Sequence, residues 1–259
     1  MPRRVLPLIL LAAIVPAASA RAAVDARLEG SFRMAGRITI ARDVRGEHAG
    51  QRVRRTWRVD STCPLGVCRS VALRRGRARG ADRLVLRRRS PGVYTARGSF
   101  TTPLRCAGRT YRRGGLVLFS VTLTITAART VQTTPFATAI SARYDNSRRI
   151  NRTPCPGGLG RDAARYGGAR AGALPAPPRP DFVARVLDPV RRSADFTASG
   201  PRSIVAFTWD FGDPGSGPAD LATGVRVQHA FSGFGAFAVT LQALDGNGLI
   251  GTAVHPLGF

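Results

Sequence analysis

Large apolar side chains recur at every second position along most of this chain, and this periodicity constrains the fold more than any other feature. Residues 205–211 are a clear case, with Trp209 on the apolar face. Successive side chains of a strand point to opposite faces, so this pattern predicts strands that are buried on one side. Turn-forming stretches at 212–218 and 245–248 separate such segments. The chain is therefore predicted to be all-β.

The N-terminal part contains seven segments of this kind, separated by clusters of Gly, Pro, Asn and Ser. They are residues 32–40, 53–59, 70–73, 83–87, 93–100, 116–127 and 136–144. Short, regularly spaced strands without a helical period predict one domain, over residues 28–156, that is either a β-sandwich or a small β-barrel. Arginines at alternate positions, such as Arg52, Arg54 and Arg58, are interpreted as a solvated strand face.

Two other stretches have a composition that differs from the strands. Residues 1–20 combine Arg3 and Arg4 with a short apolar run and a small-residue end, which predicts a cleaved signal peptide and a secreted or cell-surface protein. The run is shorter than the ~20 residues of a membrane span, which argues against the alternative of an uncleaved anchor. No second long apolar run exists, so no transmembrane segment is expected after cleavage. Residues 157–180 are rich in Gly and Pro and are predicted to be a linker that holds two domains apart.

The four cysteines agree with an oxidising compartment. They are Cys63, Cys68, Cys106 and Cys155. An even number in a secreted chain predicts disulfides, and four cysteines allow three pairings. The short Cys63–Cys68 loop favours that pair, which leaves Cys106 with Cys155. A zinc site is the alternative, but the loose spacing and the absence of a second close pair argue against it.

The charge is concentrated in the N-terminal part. The formal net charge is +25, and every basic residue is an arginine. Residues 21–180 hold 33 arginines and 8 acidic residues, whereas residues 181–259 hold 5 and 7. Such a field attracts polyanions, which makes an anionic envelope polymer a candidate partner; nucleic acid is not expected, and the alternative is that the charge reflects composition alone. A GC-rich genome would explain arginine in place of lysine, but not the shortage of acids.

No catalytic constellation is evident, and no cofactor is expected. The three histidines, His48, His229 and His255, lack zinc-protease spacing, and no serine lies in a nucleophile elbow. Asp210 and Asp213 are interpreted as turn-shaping residues, and a Ca²⁺ site with Asp220 is the alternative. Trp57 and Trp209 are interpreted as core residues, with carbohydrate stacking as the alternative.

The C-terminal part carries an ordered set of motifs at residues 181–259. The set comprises Trp209, Asp210, Phe211, Gly212 and Asp213, then His229 and Phe231, and then Phe237, Val239 and Leu241. It resembles the polycystic kidney disease (PKD) domain family, with Pro214 in place of the family's turn Gly and Phe in place of Tyr twice. The resemblance implies an immunoglobulin-like β-sandwich that serves adhesion, spacing or binding outside the cell.

Together these features predict a secreted, non-enzymatic binding or adhesion protein. In this hypothesis the PKD-like module contacts protein or carbohydrate, or acts as a spacer, and the basic domain docks on anionic polymers. One alternative is that the N-terminal domain binds a small molecule or glycan, which an internal cavity would indicate. The other is a secreted hydrolase with the C-terminal module as its accessory.

Overall fold

The computed structural model describes residues 23–44, 46–77, 80–156 and 160–259. Almost all regular structure in these ranges is β-strand, which confirms the all-β prediction. The predicted signal peptide at 1–20 lies outside the described residues. Among the helices in the described ranges, none combines the length and apolar character needed to cross a membrane.

The N-terminal domain is a closed barrel of eight antiparallel strands in chain order, so the barrel is the correct one of the two predicted architectures. Each strand pairs with its sequence neighbours, and β8 closes the barrel against β1. The strands are β1 Gly30–Arg42, β2 Arg52–Ser61, β3 Ser70–Arg77, β4 Gly80–Ser90, β5 Val93–Cys106, β6 Arg109–Val131, β7 Thr134–Asn151 and β8 Arg161–Ala171.

Alternate side chains of these strands point inward and fill the interior at one end of the barrel. Phe32, Trp57, Tyr94 and Leu123 are among the fully buried residues of this core. The segment before β1 closes this end, because Ala26 and Leu28 are buried and Arg27 forms backbone hydrogen bonds with residues 135 and 137. We call this the closed end of the barrel.

Strand β8 corrects the predicted domain boundary. Residues 157–180 were predicted to be a linker, but Arg161–Ala171 is a barrel strand, so the linker prediction is wrong there. The Gly and Ala residues that indicated a linker instead permit close strand packing. Gly168 lies so close to Met34 and the backbone of Arg33 that no Cβ would fit. The barrel domain extends to residue 171, beyond the predicted end at 156.

Both disulfides of the favoured pairing are present, and no described cysteine is free. Cys63 and Cys68, with Cα atoms 5.5 Å apart, close the loop between β2 and β3. Cys106 and Cys155, with Cα atoms 5.7 Å apart, tie the β5–β6 turn to the segment between β7 and β8. The two disulfides therefore lie at opposite ends of the barrel.

The C-terminal domain consists of two packed antiparallel sheets, as the resemblance implied. One sheet has the order β13–β10–β9 and the other β12–β11–β14–β15. The strands are β9 Asp181–Asp188, β10 Ser193–Ser199, β11 Ile204–Asp210, β12 Leu221–Thr223, β13 Arg226–Ala230, β14 Ala236–Asp245 and β15 Ile250–Gly258, with a short 3-10 helix at Pro214–Asp220. Trp209 lies at the centre of the core between the sheets, with Phe182 and Phe196 against its ring.

The two domains are in contact, which contradicts a purely spacing role for the linker. The buried Arg27 guanidinium donates to the carbonyl of Gly246 at 3.0 Å, as well as to the carbonyls of Cys63 and Gly66. The Gln132 side chain exchanges two hydrogen bonds with the Ile250 backbone, at 2.7 and 2.8 Å. These contacts join the closed end of the barrel to the β14–β15 turn of the sandwich.

Candidate ligand-binding site

A cavity of about 650 Å³ opens at the end of the barrel away from the C-terminal domain. Neighbouring strands of the barrel run in opposite directions, so the loops that follow β1, β5 and β7 lie at the same end. The cavity lies at that end, below these loops. We call it the mouth cavity. Its lining is Ile38, Val44, Glu47, Gln51, Val53, Arg55, Trp57, Arg75, Gly76, Phe100, Thr102, Tyr144, Asn146, Arg149, Asp162, Ala163, Ala164 and Tyr166.

Aromatic rings form the floor of the mouth cavity. Trp57 is almost fully buried, and its ring lies 5.3 Å from that of Tyr166 in a tilted arrangement. Phe119 lies beneath the lining, 6.0 Å from Phe100 and 5.6 Å from Tyr144 between ring centroids. The prediction that Trp57 is a core residue agrees with its burial, but the residue also borders the cavity.

Two arginines lie beside this floor because of the strand register. Arg75 is directly opposite Trp57 on β3, and Arg55 precedes Trp57 by two positions on the inward face of β2. Diagonal neighbours of this kind are about 7–8 Å apart. The Arg75 guanidinium is buried and lies 5.2 Å from the Phe119 ring and 5.1 Å from the Tyr144 ring, within cation–π distance.

The opposite wall carries carboxyl groups. Asp162 Oδ1 accepts hydrogen bonds from Asn146 Nδ2 and from Arg149 Nη2. Burial raises the pKa of Asp162 above its ordinary value, although the hydrogen bond and charge of Arg149 act in the other direction. Partial burial and the charge of Asp162 likewise raise the pKa of Glu47, while Arg149 and Arg55 lower it.

Two buried polar atoms on this wall have no hydrogen-bond partner in the described part of the chain. They are Oδ1 of Asn146 and Nε of Arg149. A buried polar group without a partner costs about 1–3 kcal/mol. A bound molecule that hydrogen-bonds to these atoms would therefore gain that energy, which makes the wall suitable for a polar ligand.

The PKD-like motif residues lie in the other domain, where they form a structural network. Asp213 is buried and its carboxylate accepts from the Ser232 amide at 2.8 Å, from the Ser232 hydroxyl and from His229 Nε2 at 3.1 Å. Burial alone would raise the pKa of Asp213, but the Ser232 and His229 hydrogen bonds outweigh it and lower the pKa. Phe211 stacks on the His229 ring at 4.1 Å.

The remaining motif residues belong to the core and turn of the sandwich. Val239 and Leu241 are buried, and Phe231 packs against Phe237 at 4.4 Å. The Asp210 carboxylate accepts from the Gly212 amide, and Asp220 accepts from the Asp213 amide. Asp210 and Asp220 thus hold backbone groups of the turn, whereas the Asp213 carboxylate holds the Ser232 amide. Within the described ranges, no group of three or more His, Cys, Asp or Glu side chains has an arrangement that would hold a metal ion.

Most residues of the mouth cavity were not identified from the sequence. Arg75 was missed because the predicted strand ended at residue 73. Val71, Leu73 and Arg75 are spaced two residues apart, so Arg75 lies on the same inward face of β3 as the other two. Asp162 and Tyr166 lie on β8, which was assigned to the linker. On β2, by contrast, the period-two pattern of residues 53–59 places Val53 and Arg55 on the same face as Trp57.

Comparison with known families identifies the second domain but not the barrel. The family model of the PKD domain matches residues 176–256, close to the range expected from the motifs. No curated protein matches the chain. PKD domains are non-catalytic modules that are typically extracellular, and the two disulfides fit that location. The C-terminal part of this chain is therefore a PKD domain with an immunoglobulin-like fold, and it is attached to the closed end of a β-barrel.

Proposed function

We propose that this chain is a secreted or cell-surface binding protein whose barrel takes up a small organic anion in the mouth cavity. The observation that carries this proposal is the pairing of two inward arginines, Arg55 and Arg75, with the aromatic floor at Trp57. Neither a metal nor a cofactor is required, and no chemical step is assigned to the cavity.

The lining favours an amphipathic anion over an apolar ligand. Within the described residues, no carboxylate lies within ion-pair distance of Arg55; Glu47 interacts with its charge at longer range, and Arg55 Nη1 donates to the Arg54 carbonyl at 2.9 Å, which leaves its other N–H groups for a ligand. Guanidinium groups bind carboxylate, sulfonate and phosphate through charge-assisted hydrogen bonds. The rings of Trp57, Tyr166 and Phe100 supply a surface against which the organic part of the molecule packs.

In this proposal the PKD domain positions the barrel outside the cell by contacting protein or carbohydrate. Its attachment supports that role, because the domain contacts the closed end through Arg27 and Gln132 and leaves the mouth cavity unobstructed. A domain at the opposite end can be held by a partner while the barrel exchanges its ligand.

A matched pair of variants tests the cavity as an anion site. Arg55 faces the mouth cavity and its neighbour Arg54 faces outward, so Arg55→Ala and Arg54→Ala remove the same charge from opposite faces of β2. Fluorescence titration with anilinonaphthalene sulfonate is expected to show an affinity loss of about tenfold for Arg55→Ala, in line with one charge-assisted hydrogen bond of about 1.5–3 kcal/mol. Arg54→Ala should bind within about twofold of the wild type.

An uncharged dye provides the second control. N-phenylnaphthylamine shares the ring system without the sulfonate, so it is expected to bind more weakly and to be unaffected by Arg55→Ala. Equal losses of sulfonate binding in the two arginine variants would contradict the proposal, as would binding of the uncharged dye as tight as that of the anion. Thermal melts of all variants establish that each is folded.

A further inference from the structure

Four arginines on four neighbouring strands form a row across the outer wall of the barrel. Arg143 on β7 pairs with Arg165 on β8, Arg165 pairs with Arg37 on β1, and Arg37 pairs with Arg52 on β2. We call this row the arginine ladder. Adjacent strands are about 4.8 Å apart, so the ladder places four positive charges across about 14 Å.

The like charges of the ladder oppose folding rather than favour it. Like charges directly opposite each other on neighbouring strands are destabilising. Among the residues that the structure describes, no carboxylate lies within ion-pair distance of Arg37, Arg52 or Arg165, and only Arg143 has one, Asp145 at 3.6 Å. A second arginine pair on the barrel, Arg58 and Arg74, differs in this respect.

That second pair shows how the barrel neutralises arginines elsewhere. Arg58 and Arg74 are also direct cross-strand partners, but Asp60 lies between them, 2.9 Å from Arg58 and 3.5 Å from Arg74. In the described part of the chain, the arginine ladder lacks such a shared counterion. Its charge is therefore available to a partner that carries the complementary charges.

Three of the four ladder arginines border a shallow groove, and Arg143 is not among its lining residues. A shallow groove of about 580 Å³ runs along this wall, and Arg37, Arg52, Arg54 and Arg165 lie along it. Between these arginines the groove is lined by residues with little or no side chain, Ala35, Gly36 and Gly167. A Cβ on Gly167 would meet no atom within 4 Å, so a bound polymer can approach the strand backbone closely there, whereas at Gly36 the Tyr166 ring and the Arg165 carbonyl fill the corresponding space.

We propose that the arginine ladder is a docking surface for a linear acidic polysaccharide. Such a polymer carries carboxylates at short, regular intervals, which match a row of guanidinium groups. Among the described residues that line the groove, Tyr166 is the only aromatic one, whereas surfaces for single-stranded nucleic acid present several rings for base stacking. The arginines of this docking surface are not among the residues that line the mouth cavity, although Val53 and Tyr166 border both.

Two double variants of equal charge test the proposal. Arg37→Gln with Arg165→Gln removes a cross-strand pair from the ladder, and Arg58→Gln with Arg74→Gln removes the neutralised pair. The probe is polygalacturonate immobilised on a sensor surface, and the full chain is measured over a salt series. The ladder variant is expected to lose at least about tenfold in affinity, and its salt dependence should fall by about one to two ions. The Arg58/Arg74 variant should lose less than about threefold.

Three results would overturn the proposal. Equal losses in the two double variants would mean that binding follows net charge alone. No binding of polygalacturonate at low salt would remove the acidic polysaccharide as the partner. Binding of duplex DNA as tight as that of polygalacturonate, with the same loss in the ladder variant, would assign the ladder to nucleic acid. Circular dichroism of each variant verifies that the barrel is intact, and an unchanged titration with anilinonaphthalene sulfonate separates this surface from the mouth cavity.

Discussion

At the scale of single residues, Asp162 has two roles in the mouth cavity. Its carboxylate accepts from Asn146 and Arg149 and so fixes that wall, but its charge also competes with any anionic ligand for Arg149. Folding raises the pKa values of Asp162 and Glu47. These two groups therefore favour the folded state at low pH, and that contribution is lost as the pH rises through their folded-state pKa values.

The same shift predicts a pH dependence for binding. As the pH falls, Asp162 and Glu47 take up protons at a higher pH than carboxyl groups of ordinary pKa, and the mouth cavity becomes more positive. Affinity for anilinonaphthalene sulfonate, which stays ionised throughout, is expected to rise. Asp162→Asn should imitate this change at neutral pH by raising affinity about three- to tenfold, because it removes a charge next to Arg149.

The control for this prediction is Asp60→Asn, which removes a carboxylate from the outer wall rather than from the cavity. It should leave dye affinity and its pH dependence unchanged. A dye affinity that falls on acidification, or a gain of equal size in Asp60→Asn, would show that the cavity carboxylates do not oppose anion binding.

At the scale of elements, the closing strand β8 depends on two neighbouring glycines with different surroundings. A Cβ on Gly168 would collide with Met34 and the Arg33 backbone, whereas a Cβ on Gly167 would meet no atom within 4 Å. Gly168→Ala is therefore expected to lower the free energy of unfolding by about 1–3 kcal/mol through overpacking. Gly167→Ala should be neutral or stabilising by up to about 1 kcal/mol, because it restricts the unfolded chain.

Urea denaturation of both variants, followed by far-UV circular dichroism, checks this prediction. The two substitutions have the same chemistry and lie on the same strand, so each is the control for the other. Equal free energies of unfolding for the two variants would mean that β8 is not packed tightly against β1 at Gly168.

The sequence predicted elements well where large side chains alternate, and poorly where small ones do. The alternation of large side chains around Trp57 and Trp209 was sufficient to predict strands β2 and β11. The spacing of the cysteines favoured the two disulfide pairs that form. Strand β8 was missed because Gly and Ala carry no periodic signal, although their small size is what permits barrel closure. The mouth cavity was missed with it, since Asp162 and Tyr166 belong to β8.

At the scale of the whole molecule, the two proposed binding surfaces and the attachment point lie on different parts of the fold. The mouth cavity lies at one end of the barrel, the arginine ladder crosses its outer wall, and the PKD domain contacts the closed end. The strongly basic composition of residues 21–180 is thus divided between inward arginines and outward ones. Net charge alone could not distinguish them, because the distinction depends on strand register.

The proposed binding of an organic anion in the mouth cavity can be measured directly, because Trp57 borders the cavity and its fluorescence reports on a bound quencher. The chain has two tryptophans: Trp57 borders the cavity, and Trp209 lies in the core of the PKD domain. Titration with a brominated benzoate, a heavy-atom quencher, is predicted to quench the wild-type emission saturably and to leave the emission of Trp57→Phe unchanged. Saturable quenching of equal size in Trp57→Phe, or no saturable quenching in the wild type, would contradict the claim.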